Sequence, residues 1–475
     1  MSDFSSFTKA FTGDLVVPGD VDYEASIARW ASNAQRNAKV VAFVKSPEDV
    51  ALALAYAKAS KLPIAIRGGG HSASGASSSE GGLVIDLSRH LNKVDVDAEK
   101  RVARVGGGAL WRDVDIAAIA HGLAGVGGTV NHTGVGGLTL GGGFGWLSGS
   151  HGLVIDNLVE AQLVTADGST KTLSSSQNED LFWGIRGGGC NFGVVTQFVY
   201  QLHPQRKTVY AGSIIFTADS LPAIMTLTAE WWNNGPDEKE GVVHMVTRGP
   251  HGVCPMVIVF LFYNGSEQEG RTVFKDYFAL SPMEDTTKEI PYEELNALTN
   301  PANPHGRGTY MKGVRWTKPR FDVISKVIGE VVKLSTERPD MEMYCIFEYF
   351  GLKRAYSVPD DATACIRSPY CNVLNVIRWD ENTEENLVFA RDASRKITDA
   401  VVSGNVELED SKATAGYYGN YGEFNAFIAL GDSDTGPVSD RAAGLYGANY
   451  PKLQALKKKY DPETVFSKWF VITPA

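Results

Sequence analysis

Glycine is unevenly distributed in this chain, and its placement is the strongest constraint on the fold. Of 50 glycines in 475 residues, 28 lie between Gly68 and Gly193, and Gly-Gly-Gly recurs there. Glycine destabilises helices and strands, but it is useful where the backbone takes a positive φ or must approach a ligand closely. The crowding therefore favours a binding site built largely from backbone. A set of tight turns in a β-rich domain is the alternative.

The pattern of apolar residues changes along the chain and predicts three segments. A β-α-β unit is expected first: strands at 40–44 and 63–67 flank a helix over 46–60, which begins with a capping serine, a proline and two acids. Beyond His203 strands alternate with helices and glycine is scarce, which is typical of an α+β domain on an antiparallel sheet. We expect a first domain over residues 1–205, a second over 206–415, and a C-terminal segment over 416–475.

The charge balance argues against several classes of partner. Lys and Arg total 45 and Asp and Glu total 55, so the formal charge is −10. An acidic chain with scattered charges is not expected to bind nucleic acid or an anionic membrane surface as its main partner. The longest apolar run, 253–262, contains Pro255 and is too short to span a bilayer. Residues 1–18 lack the basic and apolar stretches of a secretory signal, so we expect an intracellular protein.

The cysteines do not indicate a disulfide framework or a zinc site. There are five, an odd number, and they are widely spaced without any C-x-x-C pair. No bound metal is therefore expected.

The glycine clusters do not match the common nucleotide-binding loops. A Rossmann turn requires G-x-G-x-x-G between strand and helix, and a P-loop requires G-x-x-x-x-G-K-[ST]. The RGGGHS stretch at 67–72 follows a strand but opens no clear helix, and Ser74 occupies the position where a hydrolase nucleophile elbow needs glycine. Successive backbone N–H groups can instead form a concave anion site without lysine. Residues 133–137 and 141–143 are the candidates for a diphosphate site, with hydroxyl donors from Thr129, Thr133 and Thr139.

Several motifs, taken together, resemble those of one enzyme family. PIAIRGGGHS at 63–72 resembles a signature of the vanillyl-alcohol-oxidase superfamily, and TGVGGLTLGGGFGW at 133–146 is similar to a stretch of its berberine-bridge-enzyme-like branch. Within that branch the glycine stretch most resembles the 6-hydroxy-D-nicotine oxidase subgroup. The similarity continues at residues 151–157, 181–195, 446–453 and 459–466. The middle of the chain is similar only in its general pattern of alternating strands and helices and shares no motif.

This resemblance implies an α+β fold with two parts. A bipartite FAD-binding domain of the vanillyl-alcohol-oxidase type is assembled from both chain ends, and an antiparallel-sheet substrate domain comes from the middle. The resemblance assigns to His71 the histidine bonded to the flavin 8-methyl carbon, a link that raises the redox potential of the ring and holds it in place. The residues it implies in FAD binding are Arg67, Gly68, Gly69, Gly70, Ser72, Thr129, Thr133, Gly136, Gly137, Gly141, Gly143, Asp156, Val195, Asn420 and Asn449.

A second flavin tether, present in many members, is not expected here. That tether is a cysteine in a C-P-T-V-G-x-G-G stretch, and the corresponding position is Val130, while Cys190 lies too far along the chain to replace it by simple alignment. We therefore expect FAD with a single covalent link through His71. Double tethers go with open clefts for oligosaccharides, so a smaller alcohol, amine or phenolic substrate is expected. The resemblance also makes Val135 the expected oxygen gate.

The catalytic residue is expected in the YGNY stretch at 418–421, which is similar to the Y-x-N-Y element of the family. In an extended segment Tyr418 and Asn420 face one way and Tyr421 the other. Tyr418 would then assist deprotonation of the substrate while Asn420 holds the flavin, with a packing role for Tyr418 as the alternative. Asn375 is a further candidate for the substrate side. Four aromatic residues are also candidates, although such residues are more often used in core packing: Trp231, Trp232, Tyr344 and Tyr349.

These expectations describe an oxidoreductase that transfers hydride from a small molecule to covalently bound FAD, which O2 reoxidises to give H2O2. Two alternatives stay open. One is a dehydrogenase or oxidative cyclase with poor oxygen reactivity, and the other is a flavin-binding protein without turnover. A hydrolase is the alternative function that does not involve flavin, and such a protein would be colourless.

Overall fold

The computed structural model describes residues 3–248, 255–316, 318–367, 371–403, 419–421 and 438–475. Within these ranges the chain combines helices with three main β-sheets, which confirms the expected α+β class. The α-helices are α1 Phe4–Ala10, α2 Tyr23–Ile27, α3 Pro47–Ala59, α4 Trp111–Ile119, α5 Val135–Leu140, α6 Ser148–His151, α7 Glu179–Ile185, α8 Leu221–Asn233, α9 Glu267–Val273, α10 Lys275–Ala279, α11 Tyr292–Leu295, α12 Phe321–Glu337, α13 Lys353–Tyr356, α14 Glu384–Val402, α15 Val438–Tyr446 and α16 Tyr450–Tyr460.

The first sheet is small and mostly parallel, as the β-α-β pattern predicts. Its strands are β1 Asp14–Val16, β2 Val40–Phe43, β3 Ile64–Arg67 and β4 Leu83–Asp86. The spatial order is β1-β2-β4-β3, in which only β1 runs antiparallel to its neighbour. Helix α3 connects β2 to β3, and Ser46 caps its start by accepting a hydrogen bond from the Asp49 backbone. The loop that leaves β3 carries the first glycine cluster.

The second sheet is antiparallel and follows the first in the chain. Its strands are β5 Val94–Asp97, β6 Val102–Gly106, β8 Leu158–Val164, β9 Thr170–Ser174 and β10 Val194–Gln201. They lie in the order β5-β6-β10-β8-β9, and a two-stranded ribbon pairs β7 (Leu123–Ala124) with β11 (His203–Pro204). The central glycine stretch lies between β7 and β8 in the chain.

The third sheet has eight strands and is antiparallel, as predicted for the middle of the chain. Its strands are β12 Thr208–Thr217, β13 Glu240–Thr247, β14 Met256–Tyr263, β15 Glu284–Asp285, β16 Lys288–Pro291, β17 Gly308–Trp316, β18 Glu342–Phe350 and β19 Cys371–Trp379. The main order is β15-β12-β14-β13-β18-β19-β17, and β16 also pairs with β12.

The two faces of this large sheet have different neighbours. Along β18, Tyr344 and Phe350 belong to the apolar cluster shared with the glycine-rich half of the chain. Cys345, Phe347 and Tyr349 belong to a second cluster, which includes residues of α8, α12 and α14. Because side chains alternate along a strand, one face of the sheet is left to meet the glycine-rich loops.

The C-terminal helix α16 returns to the first half of the chain. Lys457 lies fully buried and donates hydrogen bonds to the Asn191 carbonyl at 2.7 Å and to Asp461 Oδ2 at 2.6 Å. On the surface, Lys459 pairs with Asp180 of α7 at 2.7 Å. Both chain ends therefore contribute to the structure around the glycine-rich region. Among the described helices, none has the length and apolar character needed to cross a bilayer.

Candidate active site

A cavity lies between the glycine-rich loops and the face of the large sheet that is turned toward them. Its first wall comes from loops of the first half of the chain: Gly68–Ser72, Gly128–Val130, Thr133, Gly134, Gly136, Gly137, Gly189, Cys190 and Val195. Its opposite wall includes Val243, Met245, Phe260, Met311, Tyr344, Ile346, Glu348 and Leu374.

The two main glycine loops pack backbone against backbone. A Cβ atom added to Gly69 would lie 2.5 Å from the Gly134 nitrogen, and one added to Gly134 would lie 2.4 Å from the Gly69 nitrogen. Gly70 has a φ of +68°, which other residues rarely adopt. Glycine is therefore required at these positions, and it joins the two loops into one continuous wall.

This wall can bind an anion through its backbone. Among the hydrogen bonds of the described residues, none uses the backbone N–H of Gly69, Gly70, His71 or Ser72 as a donor. Successive unpaired N–H groups of this kind form an anion site. These backbone donors therefore fit a phosphate-bearing cofactor. Gly137 leaves open space in the cavity, because a Cβ atom added there would meet no atom within 4 Å.

His71 lies on this wall in a group of stacked rings. Its imidazole stacks on Trp30 with ring centroids 4.2 Å apart, and its Nε2 lies 3.1 Å from His132 Nδ1. His132 in turn contacts His305, with centroids 4.7 Å apart. Burial, together with the neighbouring His132 and His305, lowers the pKa of His71 to about 3. A neutral imidazole keeps a lone pair, which suits a bond from His71 to carbon. No group of three metal-ligating side chains suited to a metal ion occurs in the described ranges.

A tyrosine and a glutamate meet on the other side of the cavity. Tyr421 Oη donates a 3.0 Å hydrogen bond to Oε1 of Glu348, which points from β18 into the cavity. Burial raises the pKa of Glu348 to about 8, although the hydrogen bond from Tyr421 works in the opposite direction. A carboxyl group with a pKa near neutrality is well matched to proton transfer.

Glycines again make room for the residues of this corner. A Cβ added to Gly313 of β17 would lie 2.6 Å from Tyr421 Cβ, and one added to Gly141 would lie 2.0 Å from Asn420 Oδ1. Asn420 Nδ2 donates to the Leu138 carbonyl at 3.1 Å. The short segment 419–421 is thus anchored to the glycine-rich stretch by Asn420 and to the large sheet by Tyr421.

Comparison with known proteins identifies the family. Residues 38–174 match the FAD binding domain family and residues 418–468 match the berberine and berberine-like family. The chain is 31% identical to the FAD-linked oxidoreductase pgmH of Aspergillus terreus, over 100% of this chain and 96% of that protein. This chain is a berberine-bridge-enzyme-like FAD-linked oxidoreductase.

Solved structures of the same fold agree with this assignment. 6-Hydroxy-D-nicotine oxidase from Arthrobacter nicotinovorans is similar over 98% of both chains, with 25% identity and a TM-score of 0.82. Glucooligosaccharide oxidase from Acremonium strictum, described with a 6-S-cysteinyl, 8α-N1-histidyl FAD, covers 100% of both chains with 20% identity and a TM-score of 0.84. The resemblance stated from the motifs is thereby confirmed.

Most of the FAD contacts expected for this berberine-bridge-enzyme-like chain lie on the cavity wall. Their contact with the cofactor itself stays a prediction. The expected residues that line the cavity are Gly68, Gly69, Gly70, His71, Ser72, Thr129, Thr133, Gly136, Gly137, Val195 and Asn420.

Three expected contacts have other partners and do not line the cavity. Arg67 Nη1 pairs with Asp86 at 3.0 Å, Asp156 Oδ2 accepts from Arg367 at 2.8 Å, and Asn449 Nδ2 donates to the Asp360 carbonyl at 2.9 Å. Their side chains fix the chain around the cavity, and their direct contact with FAD stays a prediction. Gly141 and Gly143 likewise make room, the first for Asn420 and the second for Val154.

Val135, the expected oxygen gate, does not line the cavity. It is fully buried in the apolar core, whereas Thr133 and Gly134 line the cavity. Val135 begins helix α5, and its backbone N–H donates to the Ala109 carbonyl at 3.0 Å. Its role as an oxygen gate stays a prediction.

The segment expected to carry the catalytic tyrosine is not extended. Residues 419–421 form a turn of 3₁₀ helix, and the adjacent residues Asn420 and Tyr421 both line the cavity. The expected alternation of an extended segment, with Asn420 and Tyr421 on opposite sides, is therefore wrong for this pair. Tyr418 lies outside the described residues, and its catalytic role stays a prediction.

The other substrate-side candidates divide between the two faces of the large sheet. Tyr344 lines the cavity, whereas Tyr349, Trp231 and Trp232 pack in or against the opposite apolar cluster. Asn375 is buried and donates to Thr398 Oγ1 of α14 at 3.1 Å, while its neighbour Leu374 faces the cavity. Asn375 is therefore a structural residue, a correction that follows from its place in the strand alternation.

Cys190 lines the same cavity despite its distance in sequence from Val130. Burial raises the pKa of its thiol to about 11, so the group is a thiol rather than a nucleophilic thiolate at neutral pH. A protonated thiol is less reactive toward flavin, which favours a single flavin link. The single link stays a prediction.

Sequence reasoning missed Glu348, Tyr421 and His132. Glu348 is the one acidic side chain inside the otherwise apolar MYCIFEYF run of β18, and that exception was the available signal. Nothing in the local sequence marks His132 as a neighbour of His71, because only the fold brings the two loops together.

Proposed function

We propose that this enzyme oxidises a small, mainly apolar substrate at a carbon bearing a hydroxyl or amino group. Hydride passes to FAD held covalently by His71, and O2 is the final acceptor, yielding H2O2. The observation that carries this proposal is the Tyr421–Glu348 pair, which faces the same cavity as the His71 loop. Such an oxidation removes a proton from the heteroatom and a hydride from carbon, so it needs a base beside a hydride acceptor.

The glycine-loop wall supports FAD binding. The backbone donors of residues 69–72 suit the diphosphate, and neutral His71 suits the covalent link to the ring. When bound, FAD supplies the two-electron acceptor, and the protein supplies its orientation. We infer that Asn420 supports the ring from the segment 419–421, because its side chain lines the cavity and donates to the Leu138 carbonyl.

The proton leaves through Tyr421 and Glu348. Tyr421 Oη donates to Glu348 and keeps a lone pair that can accept the substrate proton. Glu348 receives the phenolic proton as the substrate proton arrives, so Tyr421 is never left as an exposed phenolate. Glu348 Oε2 has no hydrogen-bond partner among the described residues, which is consistent with a carboxyl group that changes its protonation state.

The substrate wall favours an apolar molecule, such as one with an aromatic ring. Alternate residues of β13 and β18 present Val243, Met245, Tyr344 and Ile346 to the cavity, and Phe144 and Trp146 line it from the glycine-rich stretch. Sugar hydroxyls buried against such a wall would lose hydrogen bonds to water without replacement. An oligosaccharide, as in the name of the glucooligosaccharide oxidase, is therefore the less suitable substrate here.

Anaerobic mixing of the yellow protein with a substrate panel tests the proposal. The panel contains hydroxylated aromatic compounds, aromatic amines, simple alcohols and oligosaccharides, and loss of flavin absorbance is followed. We expect bleaching by members of the first three classes, and H2O2 formation when air is admitted. Bleaching only by oligosaccharides would contradict the substrate class. Reduced flavin that persists for minutes in air would instead indicate a dehydrogenase, and the absence of any bleaching would favour a binding protein.

A further inference from the structure

Rings from four separate parts of the chain are in contact around His71, and we call this group the column. Trp30 stacks on the His71 imidazole at an interplanar angle of 11°, and the His132 ring lies 5.0 Å from His71, centroid to centroid. The guanidinium carbon of the buried Arg378 is 5.5 Å from the centre of the Trp30 ring. His305, at the outer end of the column, is exposed to solvent.

A turn at residues 302–303 holds this column together. Arg378 donates to the Ala302 carbonyl and to Asn303 Oδ1, and Trp30 Nε1 donates to the Asn303 carbonyl at 3.1 Å. The turn therefore fixes Trp30, the residue on which His71 stacks, and Arg378 next to it.

The contact between the two histidines shows which ring nitrogens face each other. Nε2 of His71 lies 3.1 Å from Nδ1 of His132, so one proton lies between these two nitrogens. The other nitrogen of the His71 ring, Nδ1, takes no part in this contact and is the one left for a bond to carbon.

We propose that His132 is the base that enables His71 to attach FAD covalently, by accepting the Nε2 proton of His71 while Nδ1 bonds to the flavin 8-methyl carbon. This inference rests on the proposed covalent link. Without a proton acceptor, the bond would leave a cationic imidazole in a site already crowded by Arg378 and the other histidines. His132 removes that charge, and exposed His305 passes the proton to water.

The atoms and electrons of the step balance. A C–H bond of the 8-methyl group and an N–H bond of His71 break, and one N–C bond forms. The two electrons of the C–H bond reduce the flavin ring, and the two protons go to the ring or to solvent. Dioxygen, the oxidant in the proposed function, then takes up two electrons and two protons to give H2O2 and oxidised, covalently held FAD.

Covalent flavin content, rather than turnover, tests this role. The protein is produced with limited flavin, incubated with excess FAD in air, and sampled over time for flavin that resists acid precipitation. His132→Asn keeps an acceptor near the position of Nδ1 but cannot take up a proton, and His132→Ala removes both functions. We expect covalent attachment at least about 100-fold slower in both variants, with FAD still bound noncovalently, and partial recovery of the Ala variant in added imidazole.

His151→Ala is the matched control. His151 also stacks on a histidine, His203, at 3.7 Å, but neither residue lines the cavity, so wild-type attachment is expected. Covalent attachment at the wild-type rate in His132→Asn would overturn the proposal. If His132→Ala fails to bind FAD, the attachment rate of His132→Asn alone tests the proposal. Wild-type protein without any covalent flavin would instead refute the proposed link at His71, which separates the two failures.

Discussion

Tyr421 and Glu348 are joined by a 3.0 Å hydrogen bond, although 73 positions separate them in sequence. One belongs to the short turn 419–421 and the other to the middle of strand β18. Their contact ties the C-terminal part of the chain to the large sheet at the wall of the cavity. It also converts two ordinary side chains into a proton-accepting pair, because the buried carboxyl group is held at a pKa near neutrality.

Tyr421→Phe is expected to slow flavin reduction by roughly two to four orders of magnitude, because the ring stays and the proton acceptor is lost. The measurement is stopped-flow absorbance with a substrate that reduces the wild-type flavin. Tyr349→Phe is the matched control, since Tyr349 follows Glu348 on the same strand but packs on the opposite face. An effect on KM alone in Tyr421→Phe would assign this residue to binding.

The rate of flavin reduction is expected to depend on the protonation of Glu348. Burial raises the pKa of this carboxyl to about 8, and only the ionised form accepts a proton. The rate should therefore increase tenfold per pH unit below about 8 and level off above it. Glu348→Gln should lower the rate of flavin reduction and remove its increase with pH below about 8. An increase with pH that persists in the Gln variant would mean that another group titrates.

Gly313→Ala should displace Tyr421 and lower the rate of flavin reduction without abolishing FAD binding. The added Cβ would lie 2.6 Å from Tyr421 Cβ, closer than atoms can approach. Gly329→Ala serves as a control, because that glycine lies in α12 with nothing within 4 Å of an added Cβ. The control should be stabilised by roughly 0.5–1 kcal/mol and retain full activity. Equal activity in both variants would contradict the positioning of Tyr421.

Asp115 should make the protein less stable as the pH rises. Burial raises the pKa of this carboxyl to about 7, against the hydrogen bond that Asn296 donates at 2.9 Å. An unfolded aspartate loses its proton near pH 3.9, so between about pH 4 and pH 7 the folded state binds more protons and the free energy of unfolding falls. Asp115→Asn should remove up to about 4 kcal/mol of this fall. Urea unfolding at several pH values measures it, and parallel curves for the two proteins would refute it.

Local sequence signals were sufficient for much of the fold. The capped helix after residue 46 and the strands that flank it are present. Gly69 and Gly134 have the close backbone contacts, and Gly70 the positive φ, that the crowding of glycines suggested. These features depend on short stretches of chain whose preferences do not need distant partners.

The catalytic corner depends on distant contacts and was only partly predictable. The place of Tyr421 could not be predicted by sequence, because it depends on a 3₁₀ turn and on the space left by Gly313. The motif position predicts Val135 as the oxygen gate, whereas its burial in the core is determined by helix α5 and the residues packed against it. Side-chain direction at a loop-to-helix junction does not follow from spacing alone.

Peptide mapping of the purified protein by mass spectrometry is the most direct test of the central claim, that one FAD is bound covalently through His71. Tryptic cleavage after Arg67 and Arg89 releases residues 68–89, which contain His71, and cleavage after Arg186 and Arg206 releases residues 187–206, which contain Cys190. We predict a single flavin, carried by residues 68–89 and absent after His71→Ala. Flavin on residues 187–206, or flavin lost entirely on acid precipitation, would contradict this account.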